Sequence, residues 1–154
     1  MKKLIFTLPF ILLLVSCSES NKTSEAVSKA EFIEAEGLPQ QNLPFSLAVK
    51  YDNLIYISGQ IGFSVETGKL VEGGIIPETK QTMENIKMIL EQNGSSMDNV
   101  IKCTCVLADY SEWGQMNSEY IKFFPNHKPA RIAFAAKEIA SGARIEIECI
   151  AYVD

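Results

Sequence analysis

KPARIAFAAKEIASGARIEIECIAYV, residues 128–153, holds two strand-like runs joined by a short loop that contains Ser141 and Gly142. Side chains on a strand alternate between faces. In the first run Ile132 and Phe134 therefore point one way, and Arg131, Ala133 and Ala135 the other. In the second, Ile145, Ile147, Cys149, Ala151 and Val153 form an apolar face, with Glu146 and Glu148 opposite. This pattern keeps charge off the core. It predicts a strand pair whose non-core face carries Arg131 together with Glu146 and Glu148, beside small alanines that leave room for a ligand.

Working outward, residues 100–108 alternate as a strand, and Asp109 or Ser111 can cap a helix with an apolar stripe of Trp113, Met116, Tyr120 and Phe123. That stripe reads as core. Residues 77–93 place Met83, Ile86, Ile89 and Leu90 at helical spacing, with Pro77 and Glu78 in the first turn and Gly94 as a stop. Residues 46–51 and 54–58 form the arms of a hairpin around Asp52-Asn53, and Gly59 ends the second arm, where a bulge or a close ligand approach would call for glycine. Turns fall at residues 66–69 and at Gly73-Gly74. The order β-β-α-β-α-β-β predicts an α+β domain: one sheet with two helices on one face, the other face solvated or used in oligomerisation.

The N-terminus reads differently. Residues 1–16 combine a basic start with an apolar run too short to span a bilayer, and end in Leu14-Val15-Ser16 before Cys17. This resembles a bacterial lipoprotein signal, with Cys17 as the lipidated residue and the protein held at a membrane surface of the cell envelope, periplasmic or outer-membrane-anchored. Residues 17–30 then supply the lipidated cysteine and a polar tether, and 31–154 the folded domain. With 14 Lys+Arg against 19 Asp+Glu, the chain carries a net charge of -5 and lacks a basic run. Nucleic acid is not an expected partner, because its binding rests on phosphate neutralisation.

Of four cysteines, three remain after Cys17. An odd number does not suggest a disulfide framework, and Cys103, Cys105 and Cys149 all sit on apolar faces, as buried small hydrophobes do. The single histidine, His127, lies in a loop between Pro125 and Pro129. No Cys-x-x-Cys, G-x-G-x-x-G or Walker A motif occurs, so neither a metal nor a cofactor is expected.

What remains is Arg131 with Glu146 or Glu148. A guanidinium matches a planar carboxylate with two parallel hydrogen bonds, and a nearby acid can hold a water and move protons, as hydrolysis of a C=N bond requires. Spacing alone favours an ion pair or a solvated face within an oligomer, and parity does not choose between the acids.

The domain resembles the Rid/YjgF family of reactive-intermediate imine deaminases. The resemblance rests on Ile57-Ser58-Gly59-Gln60-Ile61, Thr67-Gly68, Thr82-Met83-Glu84-Asn85-Ile86-Lys87, Met116-Asn117-Ser118-Glu119-Tyr120, Phe123-Phe124, Pro129-Ala130-Arg131 and Ile145-Glu146-Ile147-Glu148. It implies a chorismate-mutase-like homotrimer whose inter-subunit clefts bind a small carboxylate-bearing imine. In such a cleft the residue matching Arg131 grips the carboxylate. The one matching Glu146 positions water for hydrolysis of a 2-aminoacrylate-like enamine or imine to a 2-oxo acid and ammonia. Ser58, Gly59 and Asn117 match cleft-lining positions. Ala133 stands where many members carry cysteine, and Phe45 where many active members carry tyrosine. The departure at Phe45 leaves a second expectation: a non-catalytic carboxylate-binding or protein-interaction module of the same fold.

Overall fold

Alternating apolar residues draw six segments into one sheet: β1 (Glu31–Ile33), β2 (Ala48–Tyr51), β3 (Leu54–Gln60), β4 (Val100–Leu107), β5 (Ala130–Ala135) and β6 (Ile145–Tyr152). The computed structural model describes residues 29–34 and 43–153. Residues 1–28, which contain the signal segment, Cys17 and most of the tether, lie outside them. No helix among the described residues is long and apolar enough to cross a membrane.

The strand order is β1-β2-β3-β6-β4-β5. Every pairing is antiparallel except β4 with β5, so the sheet is mixed. The two closing strands are therefore not a hairpin, contrary to the expectation from residues 128–153. β4 intervenes between them. β5 is an edge strand, parallel to β4, and the chain must cross before β6 can run antiparallel to both β3 and β4.

Two helices, α1 (Ile75–Gln92) and α2 (Trp113–Tyr120), pack on one face. α1 starts two residues before Pro77 because Gly74, at φ 87°, supplies the turn into the helix, and proline is tolerated in a first turn that has no partner for its N–H. It ends at Gly94, φ 77°, where the Ser95 N–H reaches back to the Leu90 carbonyl at 2.9 Å. Met83, Ile86, Ile89 and Leu90 of α1 and Met116 and Tyr120 of α2 bury against Ile55, Ile57, Cys103, Cys105, Leu107, Ile145, Ile147 and Cys149. This is the chorismate-mutase-like arrangement. The stripe on α2 is only half core: Trp113 is exposed, and Phe124 rather than Phe123 is the fully buried ring.

The opposite face is open. It exposes Tyr56, Ile132 and Phe134, and beside them the register places Thr104, Val106, Glu146 and Glu148.

Candidate active site

Register assigns every candidate side chain to a face. Cys103 pairs with both Cys149 and Arg131, and Val106 with both Glu146 and Phe134. Paired residues point to the same side of a sheet. Arg131 is thus on the helix side with the cysteines, whereas Glu146 and Glu148 are on the open side. The expectation that one face carries all three charges fails, and the reason is topological. Being at the sheet's edge, the helix side of β5 is not all apolar core and can hold a guanidinium.

The seat of that guanidinium is aromatic. Arg131 Cζ lies 4.6 Å from the ring centroid of Tyr120 and 5.7 Å from that of Trp113. These rings are seven residues apart on α2, two helical turns on one face, and Asn117 lies between them. Stacking of this kind is worth about 0.5–1 kcal/mol at a partly exposed site, and it holds the planar fork at a fixed tilt. Ala133 follows on the same side of β5, half-buried against the core. The apolar spacing of α2 accounts for Tyr120, which is core, but not for the exposed Trp113, and it carries no signal that an arginine occupies the gap at the sheet edge. The Tyr120 hydroxyl is buried beside the Cys103 thiol.

Glu146 stands in a different place. The β3–β6 register slips between Ile57 and Gln60, a bulge that takes in Ser58 and Gly59. Three bonds fix it: the Ser58 N–H donates to the Leu47 carbonyl at 2.9 Å, Ser58 Oγ to the Ser46 carbonyl at 2.7 Å, and Gln60 Nε2 to the Ser58 carbonyl at 3.0 Å. The Ser58 hydroxyl is thereby occupied by the backbone. Gly59 lies directly beneath Glu146, and a β-carbon there would collide with Oε1 of the carboxylate. Glycine is required at this position for space, since its φ is not among the positive ones.

Glu146 lines a cavity of roughly 270 Å³ together with Leu43, Phe45, Leu47, Ile61, Phe63, Ala140 and Ser141. Asn85, also in its lining, donates to the carbonyls of Ile61 at 3.1 Å and Phe63 at 3.0 Å. Ser141, at φ 58°, turns the chain into β6. Glu148 is not part of this cavity. The structure therefore brings together Glu146, Gly59 and Phe45 in one group and Arg131, Asn117 and Ala133 in another. Two strand spacings of ~4.8 Å and three residues of ~3.3 Å separate Arg131 from Glu146, so their Cα atoms lie about 14 Å apart on opposite faces. One small substrate does not reach both within a single chain.

Among the described residues, no three His, Cys, Asp or Glu side chains cluster so as to hold a metal ion. Arg144 and Glu112 form a tight ion pair, and the Arg144 N–H donates to Glu78 at 2.7 Å, tying the start of β6 to both helices.

Comparison with known proteins places this arrangement. The family model described as endoribonuclease L-PSP matches residues 37–153. The 2-iminobutanoate/2-iminopropanoate deaminase of Mus musculus is 43% identical over 108 residues, 70% of this chain and 80% of that protein. The chloroplastic Reactive Intermediate Deaminase A of Arabidopsis thaliana is 36% identical over 143 residues, 93% and 72% respectively. Among solved structures, RidA from the Antarctic bacterium Psychrobacter superposes with a TM-score of 0.75 at 36% identity, covering 80% of this chain and 99% of that one. TdcF of E. coli with bound serine gives a TM-score of 0.75 at 26% identity, with 80% and 99% coverage.

Proposed function

The chain belongs to the endoribonuclease L-PSP family, the family of the Rid/YjgF deaminases, and from that membership we propose that it hydrolyses small 2-imino acids, in imine or enamine form, to 2-oxo acids and ammonia. The observation that carries the reading is the division of the site into two halves. Arg131 on its aromatic seat and Glu146 over Gly59 are each well built, yet they lie on opposite faces. A second copy that brings its β5 edge to the Glu146 cavity completes the site. The open face supports such an assembly, since Ile132 and Phe134 are 53% and 45% exposed there, and a homotrimer provides three such clefts.

Within the cleft, the Arg131 fork takes the substrate carboxylate by two parallel hydrogen bonds. The iminium carbon then lies toward the Glu146 carboxylate of the other subunit. Glu146 accepts a proton from water as the water oxygen bonds to that carbon, and the C=N pair of electrons moves onto nitrogen. Glu146 passes that proton to the nitrogen, then takes the hydroxyl proton as the carbonyl forms and the C–N bond breaks, and ammonia leaves. Glu146 is preferred to Glu148 because only Glu146 borders the cavity. RNA is a poor substrate for a chain of net charge -5.

Phe45 favours a second reading, a binding module without turnover, because the cavity wall offers no hydroxyl at that position. The lipoprotein-like residues 1–17 support an envelope location, with Cys17 as the anchor. The test is release of 2-oxo acid from imines generated by an amino-acid oxidase. The purified protein accelerates release and R131A does not. Ligand stabilisation that depends on Arg131, with no acceleration, would instead establish the binding module.

A further inference from the structure

The mechanism leaves one group of reactive side chains unused. Cys103 on β4 and Cys149 on β6 are direct partners across the antiparallel pair, and their Sγ atoms are 2.8 Å apart. Direct partners in such a pair have Cα separations of about 4.5 or 5.5 Å, and both fall within the ~4.4–6.8 Å that a disulfide spans. The sulfur separation is only about 0.8 Å longer than the ~2.05 Å bond. Cys105, two residues along β4, faces Ile147 and Ala133 instead and has no thiol opposite. The odd count that spoke against a disulfide framework therefore resolves into one opposed pair and one bystander.

We infer that Cys103 and Cys149 form a redox-responsive cross-strand pair, which closes to a disulfide when the folding chain meets a small-molecule or protein disulfide oxidant. The Cys103 thiolate attacks one sulfur of the oxidant, forming a mixed disulfide and releasing the first thiol. The Cys149 sulfur then bonds to Cys103 Sγ, displaces the second thiolate and passes its proton to it. Two protein thiols lose two protons and two electrons, and the oxidant is reduced to two thiols. In the folded chain a hydrogen bond from Cys149 holds Cys103 below the ordinary thiol value despite burial, with the Tyr120 hydroxyl and the Arg131 charge adding to the effect, while burial pushes Cys149 up. Burial likewise pushes Cys105 up to about 12, which keeps it a neutral, inert thiol.

Cys103 and Cys149 are 0% and 1% exposed, so the exchange belongs to folding, before β4 and β6 close, rather than to the finished surface. Once formed, the bond closes a long loop and restricts the unfolded chain. It also ties β6, which carries Glu146, to β4, which backs Arg131.

The test is refolding of the full chain and of its C105S and C103S variants from reduced, denatured protein into a mixture of reduced and oxidised glutathione, followed by alkylation, digestion and mass spectrometry. A linked peptide joining Cys149 to Cys103 is expected in the full chain and in C105S, two mass units below the reduced pair, and its reduction lowers the melting temperature of C105S. C103S yields no linked peptide, whether it folds or not. The inference is overturned if C105S refolds with both thiols alkylated or glutathionylated, or if C103S gives an equally abundant link through Cys105.

Discussion

Arg131 carries the proposed chemistry because of what lies beneath it. Its fork rests on Tyr120 and Trp113, and stacking on ring faces uses none of the in-plane N–H donors, so a parallel pair of them can take a ligand carboxylate. R131A removes two charge-assisted hydrogen bonds, each worth about 1.5–3 kcal/mol, and should lower kcat/KM for imine hydrolysis by roughly 100-fold or more. R131K keeps the charge, loses the bidentate geometry and the stacking, and should recover little of that loss in the same assay. Gly59 makes a separable prediction. Its backbone tolerates alanine, but the new methyl group displaces the Glu146 carboxylate. G59A should therefore lose kcat by about tenfold or more, while circular dichroism reports an unchanged fold. At Phe45, restoring a hydroxyl to the cavity wall adds one neutral hydrogen bond of about 1 kcal/mol, and F45Y should raise kcat/KM roughly fivefold. No change in F45Y would mean that the hydroxyl has no partner here.

The elements were legible in the sequence wherever an apolar period ran long enough. α1 follows from Met83, Ile86, Ile89 and Leu90, and its end from Gly94. β6 follows from strict alternation, and β4 from alternation beyond Lys102, since the register slips between Val100 and Lys102 and leaves Ile101 exposed. The three-residue strand β1 carries too few alternations to announce itself, and it is drawn in by pairing with β2. β5 shows what alternation leaves undetermined. Period two separates Arg131 from Ile132, but nothing local says which set faces the helices. The choice is made by the parallel pairing to β4, a contact between residues some 28 positions apart in the chain. The same long-range pairing explains why the residues of the candidate site were readable while their division between two faces was not. The helix layer has its own test. Met83 is fully buried between α1 and the sheet, so M83A should cost about 2–5 kcal/mol of unfolding free energy, read by chemical denaturation.

At the scale of the whole molecule, the sheet's two faces have different tasks. The helix side holds the core and, at its β5 edge, the guanidinium; the open side holds Glu146 and exposed aliphatic and aromatic side chains. On the proposed reading such a chain has half of a cleft at each of two separate places, and a ring of copies would bring each half to its complement. The central claim is therefore that Arg131 and Glu146 of one working site come from different subunits, and mixing inactive variants tests it most directly. R131A and E146Q, each devoid of imine-hydrolysing activity alone, are denatured together in equal amounts and refolded, and mixed assemblies are confirmed by native mass spectrometry. Random assembly gives about a quarter of the clefts an intact Arg131 from one subunit and an intact Glu146 from its neighbour, so activity should return to about a quarter of the unmodified protein's. Mixed assemblies that stay as inactive as the separate variants would contradict the claim.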